Sequence, residues 1–160
     1  MKTRTKSIII HSTPEKVFAY MDSLGNTGMH MTQSNMPMMG GKLELKQLSQ
    51  NSTGPHAKFQ WKGNVLWMKL DFTVEVTEWE KNKVKVWETL AEAKIIILSW
   101  YRMRLQLTPV KEGTMADLSI SFTTPQTVFE KILAFFLADW YANWCLKNML
   151  YDSKKALEQK

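Results

Sequence analysis

The chain has 160 residues, a formal net charge of +6, a single cysteine and 44% hydrophobic residues. That length suits one ordinary domain, the composition is neither disordered nor fibrous, and lone Cys145 excludes an internal disulfide or a zinc cluster. The positive charge does not point to nucleic acid: Lys58, Lys62, Lys69, Lys83, Lys85, Arg102 and Arg104 alternate with apolar residues, as on a wet sheet face, and no basic block occurs.

The opening MKTRTKSIII ends in three β-branched residues and reads as a strand, its apolar run too short for a signal peptide. Ser12-Thr13-Pro14-Glu15 then starts a helix, with Ser12 as N-cap and Pro14 just inside; Val17, Phe18 and Met21 share its apolar face. Residues 24–41 hold four glycines, Pro37 and five of the methionines, a short helix followed by a loop. From residue 41 the hydrophobic period drops from 3.6 to 2. Six alternating strands follow, around 41–47, 57–62, 68–77, 83–88, 99–108 and 116–122, separated by turn residues such as Asn51-Ser52-Thr53-Gly54-Pro55 and Lys111-Glu112-Gly113. One apolar and one polar face per strand is the pattern of an antiparallel sheet wet on one side. Thr124 and Pro125 open a final helix to about residue 158, rich in aromatics from Phe129 to Tyr151. No run nears the ~18 uninterrupted apolar residues of a membrane-crossing helix. The expectation is a soluble, cytoplasmic domain spanning residues 1–160, with an α+β architecture.

The segment GPHAKFQWKGNVLWMKLDFTVEVTEWEKNKVKVWET, the segment YRMRLQLTPVKEGTMADLSISFTTP and the opening IIIHSTPEKVFAYMDS together resemble the helix-grip superfamily. That superfamily includes START lipid-transfer domains, polyketide cyclases and dehydratases, and plant pollen-allergen and hormone-receptor proteins. The resemblance covers nearly the whole chain. It implies a helix-grip fold: a curved antiparallel sheet of about seven strands around a long C-terminal helix, with two short helices after the first strand. It also implies a cavity between sheet and helix for a small hydrophobic or aromatic molecule or a lipid; the sequence has no phosphate-binding glycine loop or metal-ligand pair at helical spacing, so no cofactor is expected. Motifs of this kind specify a fold and hardly a chemistry.

In this sequence the inward phase of the strands would place Phe59, Trp61, Leu70, Phe72, Val86, Tyr101, Met103 and Leu118 around that cavity, or packed together as a filled core. Glu88 continues the phase of Val84 and Val86, and a carboxylate there would be desolvated and suited to acid or base work. The alternative is that Glu88 lies at the strand end, or that a bulge turns Trp87 inward instead. Tyr101 could donate a phenolic hydrogen bond, and Asp139 and Asn143, one helical turn apart, face either the cavity or a wet flank. His30 stands beside the expected mouth as ligand contact, proton-transfer group or plain loop residue. Met29, His30, Met31, Met36, Met38 and Met39 read as the gate of an adaptable apolar pocket. Thioether and imidazole would also suit Cu(I), but no second histidine is near, so no metal is expected. Binding leads, with a cyclase- or dehydratase-like enzyme using Glu88, Tyr101 or His30 as the alternative. The aromatic C-terminal helix could also pair two copies of the chain.

Overall fold

The computed structural model describes residues 1–32, 41–65, 68–91, 98–124 and 128–159. The elements run β1 (Lys2–Ile10), α1 (Pro14–Met21), α2 (Leu24–Thr27), α3 (Met29–Thr32), β2 (Lys42–Gln47), β3 (Lys58–Val65), β4 (Met68–Glu80), β5 (Val84–Thr89), β6 (Trp100–Val110), β7 (Gly113–Thr123) and α4 (Val128–Glu158). All neighbouring strands pair antiparallel, in the order β1-β7-β6-β5-β4-β3-β2. Strands β2 to β7 form a plain meander, the pairing that short turns dictate. The chain must still travel from β1 at one edge to β2 at the other. Helices α1, α2 and α3 make that crossing, and α4 returns over the same face to pack on β1 and β7.

The start of α1 differs by one residue from the expected cap. Thr13, extended at φ −72° and ψ 153°, is the N-cap, and its side chain makes no capping hydrogen bond. Pro14 at the first position supplies the start instead, because its fixed φ and missing N–H suit that site. The tight β6–β7 turn needs Gly113, whose φ of +142° lies outside the range of other residues and whose missing Cβ makes room for the Ile10 carbonyl.

One face of the sheet is apolar and faces α4. Phe59 and Trp61 on β3, Leu70, Phe72, Val74 and Val76 on β4, Met103, Leu105 and Leu107 on β6, and Leu118, Ile120 and Phe122 on β7 are all buried there. The opposite face carries Lys62, Asp71, Arg102 and Gln106 in water, as period-2 alternation requires. On α4 the buried row is Ala138, Ala142, Cys145, Leu146, Met149, Leu150 and Ser153, which is the spacing of one helical stripe.

Strand β5 reverses the expected phase. The register of β4 against β5 shifts between Val76 and Glu78, so Thr77 is a bulge, and beyond it Trp79 rather than Glu78 faces inward. Across the ladder, inward-facing Trp79, Val76 and Val74 pair with Lys85, Trp87 and Thr89 of β5, all buried on the inner face. Val86 therefore points outward, bracketed in the ladder by Glu78 and Arg104 and covered by their ion pair of 2.8 Å. Glu88 points outward too, 3.8 Å from the Arg102 guanidinium. The alternation of Val84 and Val86 with Lys83 and Lys85 suggested the reverse, because a buried cation breaks the apolar-in rule.

Among the described residues no helix is long and apolar enough to cross a membrane.

Candidate functional site

Between the inner face and α4 lies a cavity of about 60 Å³. Trp61, Phe72, Trp87, Met103 and Ile120 form its sheet wall, with Leu98 and Tyr101 beside them. Tyr141, Cys145 and Met149, four residues apart on α4, form the opposite wall. The short helices close it with Leu24, Thr27, Gly28, His30 and Met31. Gly28 is there because nothing larger fits: a Cβ would stand 2.4 Å from the Trp61 ring.

The lining is apolar apart from a few neutral polar groups. The Tyr141 hydroxyl donates toward the Met31 sulfur at 3.8 Å and also reaches the Cys145 thiol. The Tyr101 ring is held by the edge of Phe72, with centroids 6.1 Å apart, and its backbone N–H donates to the Thr89 hydroxyl at 3.2 Å. His30 is buried edge-on against Trp144, with ring centroids 5.0 Å apart. Burial holds its imidazole down at about 4, the Thr27 carbonyl pulling weakly the other way. Burial also pushes the Cys145 thiol up to about 12 and both tyrosine phenols above their usual range. All four groups are uncharged near pH 7.

Of the residues expected around the cavity, Trp61, Phe72, Tyr101 and Met103 line it, whereas Phe59, Leu70 and Leu118 belong to the surrounding packed core. Val86 and Glu88 lie on the opposite face of the sheet, for the reason given above. Asp139 is not a cavity group: Lys2 and Arg4 of β1 each bind its carboxylate at 2.8 Å, and the Lys2 hydrogen bond, with both charges, holds its pKa down. Asn143 donates to the Asp139 carbonyl at 2.9 Å within the helix and does not line the cavity either. At the expected gate His30 and Met31 border the cavity and Met29 is partly exposed, while Met36, Met38 and Met39 lie outside the described residues. Tyr141, Cys145 and Met149 were missed, although their four-residue spacing on a helix was visible. Trp87 enters through the alternative phase of β5, the one in which a bulge turns it inward.

Beneath the cavity floor a second polar cluster ties the short helices to the sheet. Lys85, fully buried, reaches the Asp22 carboxylate at 2.8 Å and also donates to the Asp22 carbonyl. Asp22 caps the C-terminus of α1, where a cation offsets the helix dipole. Trp79 donates its indole N–H to the same carboxylate at 3.1 Å, and Lys85 lies 5.5 Å from the Trp87 ring centre.

No protein-family profile matches the chain, and no curated protein does. Solved structures do match it end to end. A crystal structure of TTHA0849 from Thermus thermophilus superposes with a TM-score of 0.72 at 15% identity, over 98% of this chain and 97% of its own. Ginseng major latex-like protein 151 from Panax ginseng gives 0.66 at 7% identity, over 99% and 98%. The Aha1 dimer from Colwellia psychrerythraea gives 0.58 at 18%, over 99% and 97%. The fold is the helix grip. A helix-grip sheet holds its C-terminal helix across the apolar face, and in this chain the cavity lies in that grip, beside Tyr141 and Cys145 of α4.

Proposed function

We propose that this helix-grip chain binds a small, largely apolar or aromatic molecule in the cavity between the sheet and α4. The observation that carries the proposal is an apolar space between sheet and helix, bounded by α2, α3, strands β3 to β7 and α4. Apolar burial at roughly 25 cal/mol per Å² would supply the affinity. The resting cavity of about 60 Å³ is far below the ~300–1,000 Å³ of a drug-sized site. A single ring is therefore favoured over a lipid chain, and entry requires the unbranched side chains of Met31, Met103 and Met149 to swing. A cyclase- or dehydratase-like reaction has less support, because burial makes His30 a weak base and Cys145, Tyr101 and Tyr141 weak acids, and Glu88 faces away. Native mass spectrometry of protein purified from its own host tests the proposal. A stoichiometric small-molecule adduct is expected, and it should be absent from Ile120→Phe, whose added ring fills the cavity. No adduct, or the same adduct in both proteins, would refute binding at this place.

A second surface supports pairing of two copies through α4. Ile132, Phe135, Phe136 and Trp140 are 51–71% exposed along one strip of the helix. At ~150–250 Å² for each aromatic side chain, the strip offers on the order of 500 Å² per copy, and two copies reach the ~1,000 Å² floor of a specific interface. The Asp139 carboxylate beside the strip is already ion-paired with Lys2 and Arg4, so it would not be buried without a counter-charge. Sedimentation of the wild type as a dimer and of Phe136→Glu as a monomer is the expected result; a monomeric wild type would remove the pairing.

A further inference from the structure

Resting on the binding function proposed above, the geometry points to the class of ligand: we infer that the occupant is a neutral aromatic carbonyl compound, whose oxygen accepts hydrogen bonds from the hydroxyls of Tyr141 and Tyr101. Tyr141 carries the argument. Its hydroxyl is a strong donor, yet its protein partners are the thioether of Met31 and the thiol of Cys145, and sulfur is a weak acceptor. A carbonyl oxygen in the cavity would replace a poor bond by a good one. The Tyr101 hydroxyl makes no hydrogen bond among the described residues, and its ring borders the same space. Tyr101 on β6 and Tyr141 on α4 border the same space from its two facing walls. Both remain protonated at any physiological pH, so both can donate.

The same surroundings exclude an anionic ligand. No cation lines the cavity among the described residues; Lys85, beneath Trp87, is committed to Asp22. A carboxylate or phenolate would lose its water and gain no counter-charge. Around the donors, Trp61, Phe72 and Trp87 present flat apolar surface to an aromatic ring, and the methionines allow its outline to vary.

Acetophenone and ethylbenzene have nearly the same shape and differ by the carbonyl oxygen, and benzoate adds a charge. Their dissociation constants for the wild type, Tyr101→Phe and Tyr141→Phe, followed by tryptophan fluorescence, test the inference. Removing one neutral hydrogen bond should weaken acetophenone about fivefold in each variant. Ethylbenzene should bind the variants as well as the wild type or better, and benzoate should bind at least tenfold more weakly than acetophenone. If the variants change the two neutral probes alike, or benzoate matches acetophenone, the carbonyl assignment fails while the binding function stands. If neither neutral probe binds the wild type, the binding function itself fails and the assignment with it.

Discussion

Lys85 is where a single side chain departs most from what its neighbours in the chain imply. Flanked by Val84 and Val86, it looks like one more solvated lysine, yet it is fully buried. Its partner lies 63 residues away, beyond any local pattern, so periodicity could not show it. Burial lowers its pKa while Asp22 pulls it back up. Removing one member of such a pair strands the other, at a cost of about 3–5 kcal/mol. Asp22→Ala should lose that much stability in urea unfolding. The double variant Asp22→Leu/Lys85→Met should lose clearly less than the sum of Asp22→Leu and Lys85→Met alone; additive losses would show that the pair is not coupled. His30 makes a matching prediction for pH. Its folded-state pKa, about 4, lies below the ordinary 6.5, so the unfolded chain takes up the proton first. Stability is therefore complete above pH 6.5 and falls as pH drops from 6.5 toward 4, by about 3 kcal/mol at ~1.4 kcal/mol per unit. Chemical denaturation from pH 7 to 4 should show this slope and His30→Gln should flatten it; equal slopes would place His30 in water.

At the scale of elements, most of the fold was legible. The period-2 runs of β3, β4, β6 and β7 bury one face strongly enough that a register slip would turn every side chain over. Pro14 and the turn glycines mark the element ends. The phase of β5 stayed open between two alternatives, because it depends on the bulge at Thr77 and on the Lys85–Asp22 pair, neither of which has a local signature. The contact between α2–α3 and the sheet was equally hidden. It turns on Gly28, whose missing side chain lets the short helices rest on the Trp61 ring. Gly28→Ala crowds both the indole, 2.4 Å from the added carbon, and the Leu24 carbonyl at 2.7 Å, and both contacts must be relieved. The expected cost is about 1–3 kcal/mol, read from urea unfolding, with a shift in tryptophan emission as Trp61 is displaced. A neutral substitution with unchanged emission would mean that α2 is not seated on Trp61.

Across the whole molecule, the grip architecture decides where a ligand can go. The crossing from β1 to β2 must pass over the apolar face, and α4 must cover the rest, so any leftover space falls between them. The general location of the cavity followed from the alternation of β3, β4 and β6. Its α4 wall and the Tyr141 donor depended on the rotation of one helix, which a stripe broad with aromatics leaves open. Methionine methyl groups report on this directly, since Met31, Met103 and Met149 line the cavity while Met21 and Met115 do not. Methyl NMR of methionine-labelled protein titrated with acetophenone therefore tests the central claim of a ligand-binding cavity in the grip. Saturable shifts should appear at Met31, Met103 and Met149, with Met21 and Met115 still. Shifts spread over all the methionines, or none at the three cavity methyls, would contradict it.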